Sequence, residues 1–186
     1  MEKLSAERCP YLVRTYETFQ DEEFQYIVME LAQNGTLHDF IKLQGNKPLS
    51  ESVAKNVLRQ LAQGLLVLHK NLIMHRDIKV HNVLFSASQA NFKLCDFGSA
   101  AQLASPHAKE IRRVGTVGYF APEIIAQKPY GLAVDIFSLG IVLMTMLTFE
   151  SLYVPFESRE EYERRLVHED LDIELERHTL HLSYIA

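Results

Sequence analysis

Two short stretches concentrate the residues able to do chemistry. The first is His75-Arg76-Asp77-Ile78-Lys79-Val80-His81-Asn82, and Asp96-Phe97-Gly98 begins fourteen residues after Asn82. Hard divalent cations prefer oxygen ligands, which Asp96 and Asn82 can supply from opposite sides of one cleft. Asp77, five residues before Asn82, is then left to accept a proton from a substrate hydroxyl. Lys79 adds a point positive charge beside that carboxylate, suited to a transferring phosphate. Gly98 lets the backbone turn sharply after the metal ligand, and Phe97 is an apolar anchor for Asp96. Phosphoryl transfer is chiefly positioning plus neutralisation of charge on the phosphate oxygens, and this set serves both. Alone, Asp-Phe-Gly reads as a turn after a strand and His-Arg-Asp as a solvated loop. In this order, with a hairpin between them, the combination is specific.

The elements that must position these residues follow from patterning. Residues 12 to 19 and 24 to 30 are rich in β-branched and aromatic side chains and predict two strands joined by Gln20-Asp21-Glu22-Glu23. A lone hairpin is marginal in water, so this one calls for neighbours. Its exposed edge predicts poor solubility or a partner that covers it. Asn34-Gly35-Thr36 caps a short helix with Leu37, Phe40 and Ile41 on one side. Pro48-Leu49-Ser50 introduces a longer helix carrying Val53, Val57, Leu58, Leu61, Leu65 and Leu68 at helical spacing. Residues 83 to 85 and 92 to 95 predict a second hairpin, and residues 133 to 149 the most apolar helix. Ser158 and Glu161 form a capping box for a helix with Tyr162, Leu166 and Val167. The fold class is α+β, mainly helical with two short strand pairs.

A chain of 186 residues with 47% hydrophobic content supports one domain with a real core. A net charge of -5 with interspersed signs excludes the basic footprint of a nucleic-acid binder. Cys9 and Cys95 have no motif spacing and read as reduced thiols, which places the chain in the cytoplasm, with the nucleus as alternative. The first residues lack an apolar signal core, and the apolar run 136 to 149 is too short to span a bilayer, so no membrane association is expected. His178 and His181 read as a solvated tail, and His168 with the charges from Glu160 to Glu176 as a solvated helix face and loop. His81 is given no catalytic role.

With these motifs in place, the chain resembles a eukaryotic-type protein kinase, mainly its C-terminal lobe, over residues 8 to about 168. Gly115-Thr116-Val117-Gly118-Tyr119-Phe120-Ala121-Pro122-Glu123 resembles the end of the activation segment. Asp135 resembles the buried aspartate that braces the catalytic loop. The resemblance implies catalytic roles for Asp77, Lys79 and Thr116, with Thr116 hydrogen-bonded near Asp77 and Lys79. It implies metal ligation by Asn82 and Asp96, and ATP and Mg2+ as cofactors. Met29 falls at the gatekeeper position, Glu30 to Ala32 at the hinge that meets adenine, and Leu84 at the apolar floor beneath the base. His75 and Phe97 would stack in the regulatory column. Lys79 and Thr116 resemble the serine/threonine branch, so the implied substrate is a protein Ser/Thr hydroxyl.

The departures from the family pattern shape a second expectation. No glycine-rich loop, strand lysine or partner glutamate is recognised, and residues 1 to 8 resemble the last turn of the helix that carries that glutamate. Residues 182 to 186 resemble the start of a further helix. The expected division is a partial kinase domain over 1–186: an incomplete N-lobe remnant and hinge over 1–32, the C-lobe over 33–168, and a truncated C-lobe end over 169–186. Arg76 would, in the family, often bind a phosphate on the activation segment. The usual site before Gly115 is occupied by Ile111, Arg112 and Arg113, so the segment is either constitutively arranged or switched through Ser105. Two functions follow: a serine/threonine protein kinase whose activity in this chain lacks the nucleotide-gripping half, or a non-catalytic C-lobe module that engages protein partners, including a regulatory or edge-covering one.

Overall fold

The structure is a computed structural model that describes residues 9–45, 47–148 and 159–168. Strand β1 (Thr15–Gln20) pairs antiparallel with β2 (Gln25–Met29), with a register irregularity between Thr15 and Glu17. Asp21 closes the turn: its carboxylate accepts the N–H groups of Glu23 and Phe24 and the hydroxyl of Tyr26. Residues 11 to 13, expected partly as strand, instead run alongside Leu94. The Val13 N–H donates to the Leu94 carbonyl and the Leu94 N–H to the Tyr11 carbonyl, both at 2.9 Å.

Helix α1 (Leu37–Leu43) begins in a reciprocal cap. The Thr36 hydroxyl accepts the Asp39 N–H, and the Asp39 carboxylate accepts the Thr36 N–H. Gly35 just before it has φ +74, and a Cβ there would lie 2.8 Å from the Asp39 carboxylate. Helix α2 (Glu51–Lys70) starts at Ser50, whose hydroxyl accepts the Val53 N–H. Its buried stripe runs through Ala54, Val57, Leu61, Leu65 and Leu68. Val53, expected on that stripe, is 38% exposed because it sits in the first turn at the margin of the apolar face. Gln60 is buried and useful: it accepts the Phe92 N–H at 2.8 Å and donates to the Ala90 carbonyl, completing the hydrogen bonding where a strand begins.

Beyond α2 come β3 (Ile73–Met74), β4 (Val83–Ser86), β5 (Asn91–Leu94) and β6 (Ala101–Gln102), then α3 (Pro122–Ile125), α4 (Ala133–Thr148) and α5 (Arg159–His168). Among the described residues the sheets are β1–β2, β4–β5 and β3–β6, three strand pairs where two were expected. Strands of two residues are too short to show alternation, which is why β3–β6 left no mark in the patterning. Phe149 and Ser158, expected at a helix end and a helix cap, lie outside the described residues. So do residues 1 to 8, His178, His181 and residues 182 to 186.

Two apolar cores result. The larger joins α1, α2, β4, β5 and α4 through Leu37, Val57, Leu65, Val83, Leu94 and Val142. The smaller gathers Met74, Leu103, Phe120, Ile124, Tyr130 and Val134. The stretch after β3 passes from one to the other: Met74 belongs to the smaller, and Ile78 and Val80 to the larger. The chemistry-bearing residues 75 to 82 are thus pinned at both ends by apolar packing. The β1–β2 hairpin joins neither, and every residue of β2 is exposed. Among the described residues no helix is long and apolar enough to cross a membrane.

Candidate active site

Asp135, in the first turn of α4, is fully buried and organises the start of the loop over residues 75 to 82. It accepts the backbone N–H of His75 at 2.9 Å and of Arg76 at 2.8 Å, and His69 Nε2 lies 2.9 Å from its carboxylate. Arg76 is left-handed at φ +66, a conformation that costs a non-glycine residue on the order of 1 kcal/mol or more and persists where surroundings over-determine it. Both Asp135 bonds do so, and Gly115 packs so closely that a Cβ there would lie 2.3 Å from the Arg76 carbonyl oxygen. The Arg76 side chain turns the other way, donating to the Ser99 carbonyl at 2.6 Å and to Glu110 at 3.1 Å.

His75 faces inward. Its Nε2 lies 2.9 Å from the Cys95 carbonyl and its Nδ1 3.3 Å from the Asp77 N–H. A carbonyl on one side and an N–H on the other select the neutral tautomer with the proton on Nε2. Burial pushes its pKa down, against Asp135 and the Cys95 carbonyl, which act to raise it. Its ring tilts against Phe97 at 5.2 Å between centroids.

Asp77 is the centre of the polar cluster. Its Oδ1 accepts the Thr116 hydroxyl at 2.6 Å, and its Oδ2 accepts Lys79 Nζ and Asn82 Nδ2, each at 2.9 Å. Lys79 Nζ also donates to the Thr116 oxygen at 2.7 Å, so Thr116 relays between lysine and carboxylate. Burial acts to raise the Asp77 pKa, but the hydrogen bonds from Thr116 and Lys79 outweigh it and hold the carboxyl below its usual range. An ionised carboxylate offers about four lone-pair positions, and the three donors leave one for an incoming hydroxyl.

Asn82 and Asp96 are joined through the main chain: the Cys95 N–H donates to the Asn82 carbonyl at 3.0 Å. The Asn82 amide nitrogen is committed to Asp77, which leaves its amide oxygen as the ligand. Asp96 is exposed and left-handed at φ +60, with Oδ1 accepting the Gly98 N–H at 3.2 Å. Among the described residues no group of three His, Cys, Asp or Glu forms a metal cage. Two oxygen ligands fit Mg2+, which is commonly held by one or two protein oxygens together with substrate phosphates and water.

The residues expected to meet a nucleotide base surround the junction between the hairpin and α1. Met29 ends β2 opposite Thr15 and is 45% exposed. Glu30 binds in two directions: one carboxylate oxygen accepts the Arg14 N–H at 2.8 Å, the other accepts Lys93 Nζ at 2.6 Å. Its own N–H donates to the Arg14 carbonyl. Ala32 is half-buried in the following loop, and Leu84 is half-buried on β4, bridged to Thr36 and paired with Lys93.

Comparison with known proteins identifies the family. The protein kinase domain family matches residues 1–181. The chain belongs to that family. Among curated relatives, the serine/threonine-protein kinase PLK4 of Drosophila virilis is 40% identical over 138 residues, covering 74% of this chain and 18% of that protein. The serine/threonine-protein kinase PLK4 of Drosophila ananassae is 40% identical over 149 residues, covering 80% and 19%. The chain therefore spans about a fifth of the length of these relatives.

In this kinase domain, the structure brings Asp77, Lys79, Asn82 and Thr116 into one hydrogen-bonded group, with Asp96 one residue beyond the Cys95 bond. The activation segment is fastened at its far end by Ser138, whose hydroxyl donates to the Tyr119 carbonyl at 2.7 Å. Glu163 of α5, within the stretch expected to be a solvated face, pairs with Arg113 of the segment. His69, Lys93 and Glu110 were not singled out in the sequence. A histidine in the last turn of α2 is the only local hint for the first. The other two answer to partners far along the chain.

Proposed function

We propose that this chain transfers the γ-phosphate of ATP to a serine or threonine hydroxyl of a protein, with Mg2+ as the metal. The observation that carries this reading is the Asp77 carboxylate, ionised, tied by three donors and left with one acceptor position. A substrate hydroxyl donating there is oriented for attack, and Asp77 takes its proton as the ester forms. Lys79 neutralises charge on the moving phosphoryl group while sharing Thr116 with the base. Asn82 and Asp96 would hold Mg2+, which supplies charge neutralisation on the phosphate oxygens. Leu84 would lie beneath the adenine, and Met29, Glu30 and Ala32 would border it. Because the Glu30 N–H is committed to Arg14, the base would meet the remaining hinge backbone groups. The corresponding division is hinge and hairpin over 1–32, catalytic lobe over 33–168 and its end over 169–186. The relatives' name supports the serine/threonine preference, and a cytoplasmic or nuclear setting suits the two free thiols.

The test is Mg2+-dependent transfer of labelled phosphate from ATP to a Ser/Thr-containing protein. Transfer by the chain that is lost in Asp77→Asn supports the reading. Absence of transfer, with tight Mg2+-independent binding of a protein partner, would replace it by the non-catalytic module. That second reading draws on one observation, the hairpin whose aromatic and aliphatic side chains are exposed on both strands.

A further inference from the structure

Arg76 poses a question that the reaction does not answer. Its side chain is 5% exposed, and a buried guanidinium needs a carboxylate or equivalent anion beside it. In kinase segments that order on phosphorylation, a new Arg–phosphate pair supplies the anion. Here the anion is part of the polypeptide. Glu110 Oε2 accepts Arg76 Nη1 at 3.1 Å and is flanked by Arg112 Nε at 3.3 Å. Glu110 is held in place by its backbone. Its N–H donates to the Tyr130 carbonyl at 2.9 Å, and the Tyr130 N–H returns to its carbonyl at 2.8 Å. Tyr130 is itself only 2% exposed, and its hydroxyl donates to the Arg112 carbonyl at 2.6 Å.

The same arginine holds the near end of the segment through the Ser99 carbonyl, while Gly115 lies against its own carbonyl. Thr116, the next residue, donates to Asp77. One buried cation thus gathers residues 99, 110 and 115 around the loop that presents the base. Residues 111 to 113 bring no hydroxyl that could carry a phosphate in its place.

We propose that Glu110 is a positioning residue that does permanently what a segment phosphate does conditionally: it neutralises Arg76 and keeps Thr116 on Asp77 in the unphosphorylated chain. The proposal rests on the kinase reading for its catalytic consequence, but its structural half can be measured without turnover. Chain confirmed by mass to be free of phosphate is compared with Glu110→Gln, Glu110→Asp, Ser105→Ala and, as an exposed control, Arg112→Ala. Amide hydrogen exchange is followed over residues 101 to 116 and, as reference, over α2.

The expected result is a protected segment in the unphosphorylated chain. Glu110→Gln accelerates exchange there about tenfold or more with α2 unchanged. Glu110→Asp lies between the two, and Ser105→Ala and Arg112→Ala match the parent. In phosphate transfer, Glu110→Gln lowers kcat about tenfold or more with little change in KM for ATP, and Glu110→Asp recovers part of the loss. Equal segment exchange in parent, Gln and Asp variants overturns the proposal, as does protection that appears only after phosphorylation. Should Glu110→Gln fail to fold, the Asp variant decides alone: parent-like segment exchange overturns the proposal. If the parent transfers no phosphate yet the exchange pattern holds, the kinase reading fails and the positioning role stands.

Discussion

The catalytic loop and the β1–β2 hairpin are both short and polar at their tips, yet they are held in opposite ways. Around residues 75 to 82 the important groups are fixed by partners distant in the chain: Asp135 on two N–H groups, Thr116 on Asp77, Glu110 on Arg76. In the hairpin the contacts are mostly local. Asp21 closes its own turn, and Phe19 stacks on the facing Tyr26 at 4.9 Å. The long-range ties near its base are Glu30, bound to Lys93, and the main-chain bonds of Tyr11 and Val13 to Leu94. Buried, convergent contacts specify atomic positions; local contacts specify a shape and leave its orientation to the ties at its base, of which the Glu30–Lys93 tether is the charged one. The proposed chemistry falls in the first region, and the second exposes apolar faces, with Tyr16 60% and Ile27 49% exposed, of the kind that a larger sheet or a partner covers.

The largest expected break falls on the loop. Asp77→Asn keeps the shape of the side chain and should lower phosphate transfer by about 10²–10⁴-fold, with only a modest fall in the thermal midpoint from the acceptor that Lys79 and Asn82 lose. A loss of folding equal to the loss of transfer would refute the separation of roles. Asp135→Ala should destabilise by about 3 kcal/mol or more, because two buried backbone donors lose their acceptor together; denaturant unfolding measures it. Lys93→Met removes the tether and should cost about 1–2 kcal/mol, discounted because Glu30 keeps some solvent access. Hydrogen exchange should then rise in β1–β2 and not in β4–β5. Equal acceleration in both would mean that the two hairpins move as one unit. Ile27→Thr on the exposed strand should change stability by no more than about 0.5 kcal/mol while reducing self-association by light scattering.

A pH series sharpens the same contrast. His75 is held neutral by burial, with its pKa below the ordinary 6.5. The unfolded chain therefore binds the proton more readily, and the contribution of His75 is complete above about 6.5 and is lost as pH falls below it. His75→Phe should flatten that acid limb in the thermal midpoint. An unchanged limb would place the titrating group elsewhere.

Much of this was legible in the sequence where a motif is contiguous or an apolar period is long. Asp77, Lys79 and Asn82 lie within one stretch, and α2 and α4 carry stripes of several turns. Two-residue strands and the four-residue α3 offer no period to read. His69 finds Asp135 across 66 positions and Lys93 finds Glu30 across 63, so neither pairing leaves a local trace. Gln60 lies between apolar positions of α2 and accepts the Phe92 N–H of β5, a pairing across 32 positions with no local trace. Glu110 has no neighbouring motif to mark it, and its significance arises only when folding brings it to a buried guanidinium 34 positions away.

The bond from the Cys95 N–H to the Asn82 carbonyl has a consequence for how this site can vary. It is a main-chain bond that continues the antiparallel ladder of β4 and β5, so it depends on neither side chain, and of the replacements at position 95 proline alone would remove it. The two backbone segments that carry Asn82 and Asp96 are thereby held one strand spacing apart. On the proposed reading, substitution at Asn82 or Asp96 would change how strongly a cation is held while the backbone bond between the two segments stays in place. Metal preference would then be tunable through the side chains alone, with the main-chain frame beneath them unchanged.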